Sequence, residues 1–273
     1  VALAKAAALE LGVDVIPIFW MASEDHDFEE ISSFRIGEYQ FKWRQPDAKG
    51  PVGLLPTDGL ADQLESWLEN VPLNEAQKEL LQPRLQAYKE CQNLAEATRQ
   101  WVREWADGCG LLVLDGQDPS LKAAADPLWR EEMKGVYSKL IQEQTEALVD
   151  HGYKAQVFPR EVNLFDLRDG DRQRFEQADH QCPSHHISPN ALMRPLYQEF
   201  LLPNLAYVGG GGELAYWLQL GEAFKKIDRP MPVLYLRDSL FVQSAKLQRA
   251  LDKIGQPLSA LLSNSAEHLK KQF

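Results

Sequence analysis

The chain has 273 residues, enough for one large domain or two modest ones, and a formal net charge of −11. No apolar run approaches the ~18 residues of a membrane-spanning helix, and the acidity argues against a Lys- and Arg-rich surface for nucleic acid. The three cysteines are too few for a disulfide framework and indicate a reduced, cytoplasmic protein.

The first 45 residues predict the αβ half of a βαβ unit. Residues 1–11 have a helical composition, and Gly12 stands where a helix-ending glycine is expected. Residues 13–21 form a nearly continuous apolar run, typical of a strand buried on both faces of a parallel sheet. Residues 34–45 alternate aromatic and polar side chains, which suits a strand or hairpin. Because the first helix lacks an N-cap, we expect an internal fragment of a longer protein.

A turn-rich linker and a helical periodicity over 57–107 predict a helical insertion at 46–107. The second buried strand, within 108–116, ends at Asp115, and helices are expected from there to residue 150. Two short apolar segments, 154–159 and 162–167, predict a hairpin.

The remaining sequence predicts a helix within 188–203, a strand, glycine loop and helix over 204–224, and a last strand within 232–239. Alternating strands and helices indicate an α/β, doubly wound, Rossmann-like core, whose first strand we expect before residue 1. The core then comprises 1–45 and 108–245, with 246–273 beginning a C-terminal helical region.

The segment SEDHDFEE, residues 23–30, follows the first buried strand. It therefore lies at the carboxyl end of the sheet, where open α/β folds bind ligands. His26 stands between Asp25 and Asp27, which could hold it in one tautomer as an acid, base or metal ligand. A solvated acidic loop that caps the next helix is the alternative, and the position at the strand end favours a function.

Four glycines, Gly209, Gly210, Gly211 and Gly212, precede Glu213 between a predicted strand and a predicted helix. Glycines let the backbone approach a ligand, and a helix N-terminus attracts anions, so phosphate, a carboxylate or a nucleotide suits this loop. The pattern is neither a P-loop nor a good dinucleotide fingerprint. A tight turn is the alternative, disfavoured because successive glycines cost chain entropy.

Asn190, Arg194 and Tyr197 form a third candidate group, because an Arg one turn into a helix can bind a carboxylate. Arg237, after the last strand, is similar. Such arginines more often form a surface ion pair, so carboxylate binding and a surface ion pair both remain open interpretations.

The cluster His180, Cys182, His185 and His186 has zinc-ligand residue types but lacks a second ligand pair. We interpret it as a polar loop and predict no metal.

Several long blocks of this sequence resemble the BshC family, the cysteine-adding enzymes of bacillithiol biosynthesis. They are PIFWMASEDHDFEEI, GLLVLDGQDPSLK, FPREVNLFDL, SPNALMRPLYQEFLLPNLAYVGGGGELAYWLQL and PVLYLRDS. The resemblance covers nearly the whole chain, although HQCPSHH departs from the family pattern. Family members are about twice as long, with a preceding glycine-rich block and a following coiled coil.

The resemblance implies a class I synthetase-like Rossmann fold with a helical connecting-peptide insertion and a homodimer formed through the coiled coil. It also implies a ligase that joins cysteine to glucosaminyl malate in the last step of bacillithiol biosynthesis. ATP is expected as well, because a carboxylate needs activation before an amine can displace its oxygen.

Site roles follow from these expectations. We expect Asp25, His26 and Asp27 around the reacting amine, with His26 as the base. The expected substrate-binding residues are Ser23, Glu24, Asn190, Arg194, Tyr197 and Arg237, and the expected nucleotide-binding residues are Gly209, Gly210, Gly211, Gly212 and Glu213.

Two other functions remain open at this point. One is a nucleotidyltransferase-like enzyme that acts on another amino sugar or acid. The other is a non-catalytic dimeric scaffold of a thiol pathway. Neither a nucleic acid nor a membrane is expected as a partner.

Overall fold

The computed structural model describes residues 1–45, 48–175, 177–255 and 257–259. The helices are α1 (Ala2–Leu11), α2 (Phe28–Ile31), α3 (Leu60–Leu68), α4 (Glu75–Glu90), α5 (Leu94–Trp105), α6 (Pro119–Ala124), α7 (Asp126–Met133), α8 (Val136–Asp150), α9 (Met193–Leu201), α10 (Gly211–Trp217), α11 (Gly221–Lys226) and α12 (Ala245–Ile254). Single 3₁₀ turns cover Val52–Leu54, Ser184–His186 and Leu218–Leu220.

The strands are β1 (Ile18–Met21), β2 (Ser33–Ile36), β3 (Tyr39–Lys42), β4 (Leu112–Asp115), β5 (Leu164–Asp166), β6 (Gln173–Arg174), β7 (Ile187–Pro189), β8 (Ala206–Gly209) and β9 (Val233–Leu236). Strands β1 and β4 pair in parallel, with Met21 opposite Asp115. Strands β8 and β9 form a second parallel pair, with Gly209 opposite Leu236. The α/β class with parallel strands is therefore confirmed.

The expected single doubly wound sheet is not what the described residues form. Strands β1 and β4 hydrogen-bond to each other, β8 and β9 do the same, and no ladder among the described strands joins the two pairs. Strands β2 and β3 make the predicted hairpin, while β5 lies between β6 and β7 in an antiparallel three-stranded sheet.

The prediction of a strand at 154–159 is wrong. The Gln219 side chain makes the hydrogen bonds with this backbone that a neighbouring strand would otherwise make. Gln219 Oε1 accepts from the backbone nitrogens of Gln156 and Val157, at 3.4 and 3.3 Å. Gln219 Nε2 donates to the Val157 carbonyl at 2.8 Å. The segment is satisfied without a strand partner, so β5 pairs with β6 and β7 instead.

Glycines end the first and last described helices as their positions predict. Gly12 and Gly255 adopt left-handed φ angles of 66° and 63°, which glycine adopts without a steric penalty. The predicted amphipathic C-terminal stretch beyond residue 259 lies outside the described residues.

Two apolar clusters stabilise the fold. The larger packs α7–α11 against β5 and β7, and its largest fully buried side chains include Trp129, Trp217 and Tyr197. The smaller packs the β2–β3 hairpin against α3 and α4 and surrounds an apolar cavity of about 490 Å³. Across the described ranges, no helix has both the length and the apolarity to cross a membrane.

Candidate functional site at the strand ends

The segment that leaves β1 is fixed by the backbone of the 3₁₀ turn Val52–Leu54. Val52 N donates to the Asp25 carbonyl at 2.6 Å, and Gly53 N donates to the Ser23 carbonyl at 2.9 Å. A Cβ atom at Gly53 would lie 2.5 Å from Ser23 Cβ and 2.8 Å from its carbonyl oxygen. This close approach requires glycine at position 53 and holds the side chains of residues 23–25 in place.

Ser23 binds the end of the neighbouring strand. Its buried hydroxyl donates to Asp115 Oδ1, which also accepts from the backbone nitrogen of Gln117 at 2.9 Å. Arg99 on α5 lies 3.4 Å from Asp115 Oδ2. Asp115 belongs to the site because parallel pairing brings the carboxyl ends of β1 and β4 together. That rule was available from the sequence and could have identified Asp115.

Glu24 forms an ion pair with Lys122 on α6, whose side chain is fully buried. Lys122 Nζ also donates to the Ile187 carbonyl of β7 at 2.6 Å. Burial raises the pKa of Glu24, and the Lys122 ammonium opposes that rise. Sequence reasoning missed Lys122, because nothing local distinguishes it from a surface lysine of a short helix.

Asp25 faces two guanidinium groups. Arg172 Nη1 lies 3.6 Å from Oδ1, and Arg194 Nη1 lies 4.0 Å from Oδ2. Arg172 is positioned by Ser188 Oγ at 3.1 Å and the Pro189 carbonyl at 2.6 Å. The Asp25 side chain keeps half of its surface exposed, whereas that of Arg172 is only 9% exposed. Arg172 was missed because it lies in a segment that the sequence indicates as a charged loop.

Arg194 also interacts with α10, the helix that follows the glycine run. Burial raises the pKa of the Tyr216 hydroxyl on α10, and the nearby Arg194 opposes that rise. Asp25 and Tyr216 also interact electrostatically. Arg194 therefore interacts both with Asp25, in the first candidate segment, and with Tyr216 on the helix that follows the glycine run.

Two glycines of the run are explained by packing. A Cβ at Gly209 would lie 2.5 Å from a Tyr207 ring carbon. A Cβ at Gly210 would lie 3.3 Å from the Arg237 guanidinium. Glu213 caps the turn, since its Oε2 accepts from Gly210 N at 2.8 Å.

The other two glycines face open space. A Cβ at Gly212 would meet no atom within 4 Å, and one at Gly211 would only touch a Leu236 methyl group at 4.0 Å. Packing therefore disfavours a side chain at Gly209, a Cβ at Gly210 would need only a small shift of the Arg237 side chain, and a Cβ at Gly212 would meet open space.

Four other predicted residues have different surroundings. Asn190 Oδ1 accepts from the backbone nitrogens of Leu192 and Met193, at 2.9 and 3.0 Å, so Asn190 caps α9. Tyr197 is fully buried, and its hydroxyl donates to the Gly116 carbonyl at 3.1 Å. The structure leaves His26 and Asp27 exposed beside Asp25.

The His180–His186 segment does not gather its metal-ligand residue types around one point. Cys182 is buried in the larger apolar cluster, and the His185 and His186 rings lie tilted at 45° to each other with centroids 4.2 Å apart. Within the described part of the chain, no group of three or more His, Cys, Asp or Glu side chains could hold a metal ion.

The parallel strand pairs, with charged side chains gathered where β1 and β4 end, define a Rossmann-like α/β domain with a polar site at its strand ends. A family model described as "Bacillithiol biosynthesis BshC, N-terminal Rossmann-like domain" matches residues 1–184 and 178–238. The chain belongs to the BshC family.

Relatives agree with this assignment. Two proteins named "Putative cysteine ligase BshC" are similar to this chain. The one from Flavobacterium johnsoniae is 36% identical over 88% of the chain, and the one from Christiangramia forsetii is 34% identical over 94%. These matches cover 49% and 52% of the relatives, so the chain spans about half their length.

Proposed function

We propose that the protein to which this chain belongs is a ligase that joins cysteine to glucosaminyl malate through an amide bond, the last step of bacillithiol biosynthesis. Membership of the BshC family and the names of the relatives support this proposal. The observation that carries it is the pair of guanidinium groups, from Arg172 and Arg194, that flank the half-exposed Asp25.

The charges around the end of β1 suit anionic substrates. In the ion pairs at this end of the sheet, Arg99, Lys122, Arg172 and Arg194 supply four positive charges, and Glu24, Asp25 and Asp115 supply three negative ones. The malate group brings two carboxylates and cysteine brings one, and arginine binds carboxylates through paired N–H donors. Arg194 is the natural contact for an incoming carboxylate, because its side chain is 30% exposed while Lys122 is fully buried.

Amide formation also requires the amine to lose a proton. In this proposal Asp25 binds the glucosaminyl amine, because its half-exposed carboxylate is the acidic group beside the two arginines. The exposed His26 ring takes the proton as the general base, and Asp27 stabilises the imidazolium.

ATP is the proposed co-substrate, because it supplies the leaving group that a free carboxylate lacks. Gly211 and Gly212 have room for a phosphate beside them, and Arg237 lies against Gly210 with a charge of the right sign. We also propose a cytoplasmic homodimer for the longer protein, as the family resemblance implies.

The test uses the full-length protein with cysteine, glucosaminyl malate and ATP, followed by mass spectrometry of the products. We expect a product heavier than glucosaminyl malate by one cysteine residue. Formation of AMP or ADP then identifies the activation route. Arg194→Ala is expected to raise KM for glucosaminyl malate at least tenfold, equivalent to about 1.4 kcal/mol.

The matched control is Arg103→Ala, because Arg103 is exposed on α5 and should leave KM unchanged. A wild-type protein that forms no cysteine adduct would refute the ligase proposal. Normal bacillithiol in a strain that lacks the gene would refute it independently. An unchanged KM in Arg194→Ala would refute the assigned site alone.

A further inference from the structure

Glu132, on α7, is a fully buried carboxylate outside the site described above. Its Oε1 accepts from Asn163 N at 2.7 Å, Asn163 Nδ2 at 3.0 Å and Ser138 Oγ at 2.6 Å. Its Oε2 accepts from Ser138 N at 3.1 Å. The ion pairs of the described residues include none to Glu132, so neutral donors alone satisfy this carboxylate.

A buried carboxylate without a cation is costly. Burial raises the pKa of Glu132, and the donors from Ser138 and Asn163 oppose the rise. An apolar side chain of similar size would fill the same space without a desolvation penalty. The carboxylate therefore needs an explanation beyond packing, and its partners provide one.

Asn163, which Glu132 holds by hydrogen bonds, in turn binds Asn190 at the start of α9. Its side-chain Oδ1 accepts from Asn190 Nδ2 at 2.8 Å, and its carbonyl accepts from Asn190 N at 3.0 Å. Because Glu132 holds both the backbone and the side-chain nitrogens of Asn163, it also fixes the direction in which the Asn163 amide presents Oδ1.

Asn190 in turn sets the first turn of α9, the helix that carries Arg194. Its Oδ1 caps Leu192 N and Met193 N, and its carbonyl accepts from Arg194 N at 3.0 Å. The chain of contacts from Glu132 to Arg194 thus passes through two asparagines and contains only hydrogen bonds of 3.0 Å or less.

We propose that Glu132 is a positioning residue, which acts through Asn163 and Asn190 to hold Arg194 beside Asp25. The functional part of this inference rests on the proposed ligase activity. The structural part, the control of the α9 N-terminus by Glu132, does not.

The test variant is Glu132→Met, which keeps the approximate length and volume of the side chain and removes both acceptor oxygens. Every hydrogen bond from Asn163 and Ser138 to this side chain is then lost. The matched control is Thr145→Val on α8, which removes the buried 2.8 Å bond from Gln219 Nε2 without touching the path to Arg194.

The first measurement is hydrogen exchange of the Leu192 and Met193 amides in the full-length protein, which needs no substrate. We expect exchange at least tenfold faster in Glu132→Met and unchanged in Thr145→Val. Unchanged exchange in Glu132→Met would overturn the proposed control of α9, whatever reaction the protein catalyses.

The second measurement is KM for glucosaminyl malate in a double-mutant cycle with Arg194→Ala. Glu132→Met is expected to raise KM about tenfold when Arg194 is present, since small displacements of a binding group weaken its contribution strongly. It should change KM less than about twofold in the Arg194→Ala background, because the group that it positions is then absent. Equal effects in both backgrounds would refute the coupling, whereas absence of any adduct in the wild type would refute the ligase proposal instead.

Discussion

Lys122→Met is expected to lower the free energy of unfolding by about 3–5 kcal/mol, because it leaves the buried Glu24 carboxylate without its cation. The magnitude follows from burial: the Lys122 side chain is fully buried and that of Glu24 is 12% exposed, so water replaces little of the lost contact. The Ile187 carbonyl loses its 2.6 Å donor as well. Glu24→Gln combined with Lys122→Met removes both charges and should recover most of the loss.

The assay is urea unfolding of the chain and its variants, followed by tryptophan fluorescence and circular dichroism. In Lys122→Met, the pKa of Glu24 in the folded state lies above its value in the unfolded state. The folded state then binds more protons, so the loss should shrink as the pH falls through the folded-state pKa. A loss below about 1 kcal/mol, or a double variant no more stable than Lys122→Met, would refute the reasoning.

Three further predictions concern single sites. Gly53→Ala should destabilise the fold by about 1–3 kcal/mol in urea unfolding, because its Cβ would lie 2.5 Å from Ser23 Cβ. Gly212→Ala should stabilise it by up to about 1 kcal/mol, since its Cβ meets no atom within 4 Å and alanine favours a helix. A loss in Gly212→Ala would contradict this expectation, and no loss in Gly53→Ala would contradict the first. Burial raises the pKa of Glu199 from 4.5 to about 6, so the free energy of unfolding should fall by about 2 kcal/mol as the pH rises through this window. Glu199→Gln should remove that dependence, and an unchanged pH profile would show that Glu199 is not its source.

Local signals predicted the elements whose structure depends on few distant partners. The apolar runs bounded by glycine contain β1 and β4, which pair in parallel as the αβ pattern indicates. The expected burial on both faces was wrong, because β1 begins only at Ile18, and Phe19 and Leu112 are 40% and 48% exposed. The transition from β8 to α10 at Gly209–Gly212 was likewise predictable from the sequence, because a strand-like run, four glycines and a helical run follow one another directly.

Elements and site residues that depend on distant partners were not predictable. The segment 154–159 has a strand-like composition, but Gln219, more than 60 residues away, satisfies its backbone. Lys122 and Arg172 lack a local motif, because their roles arise from carboxylates that lie far away in the sequence. Tyr197 was predicted as a substrate-binding residue, and only the packing of Trp20 and Trp129 around its ring shows that it belongs to the core.

Three consecutive residues in the segment that leaves β1 explain why the candidate site lies where it does. Ser23, Glu24 and Asp25 are consecutive, so their side chains point in different directions and meet different parts of the fold. Ser23 binds the end of β4, and Glu24 binds a lysine of α6 that is also tied to β7. Both are buried and each has a partner on a neighbouring element, whereas the Asp25 side chain remains 50% exposed between two arginines. The first two contacts fix this segment against β4 and α6, so in the proposed site Asp25 is the carboxylate of the three that a ligand can reach.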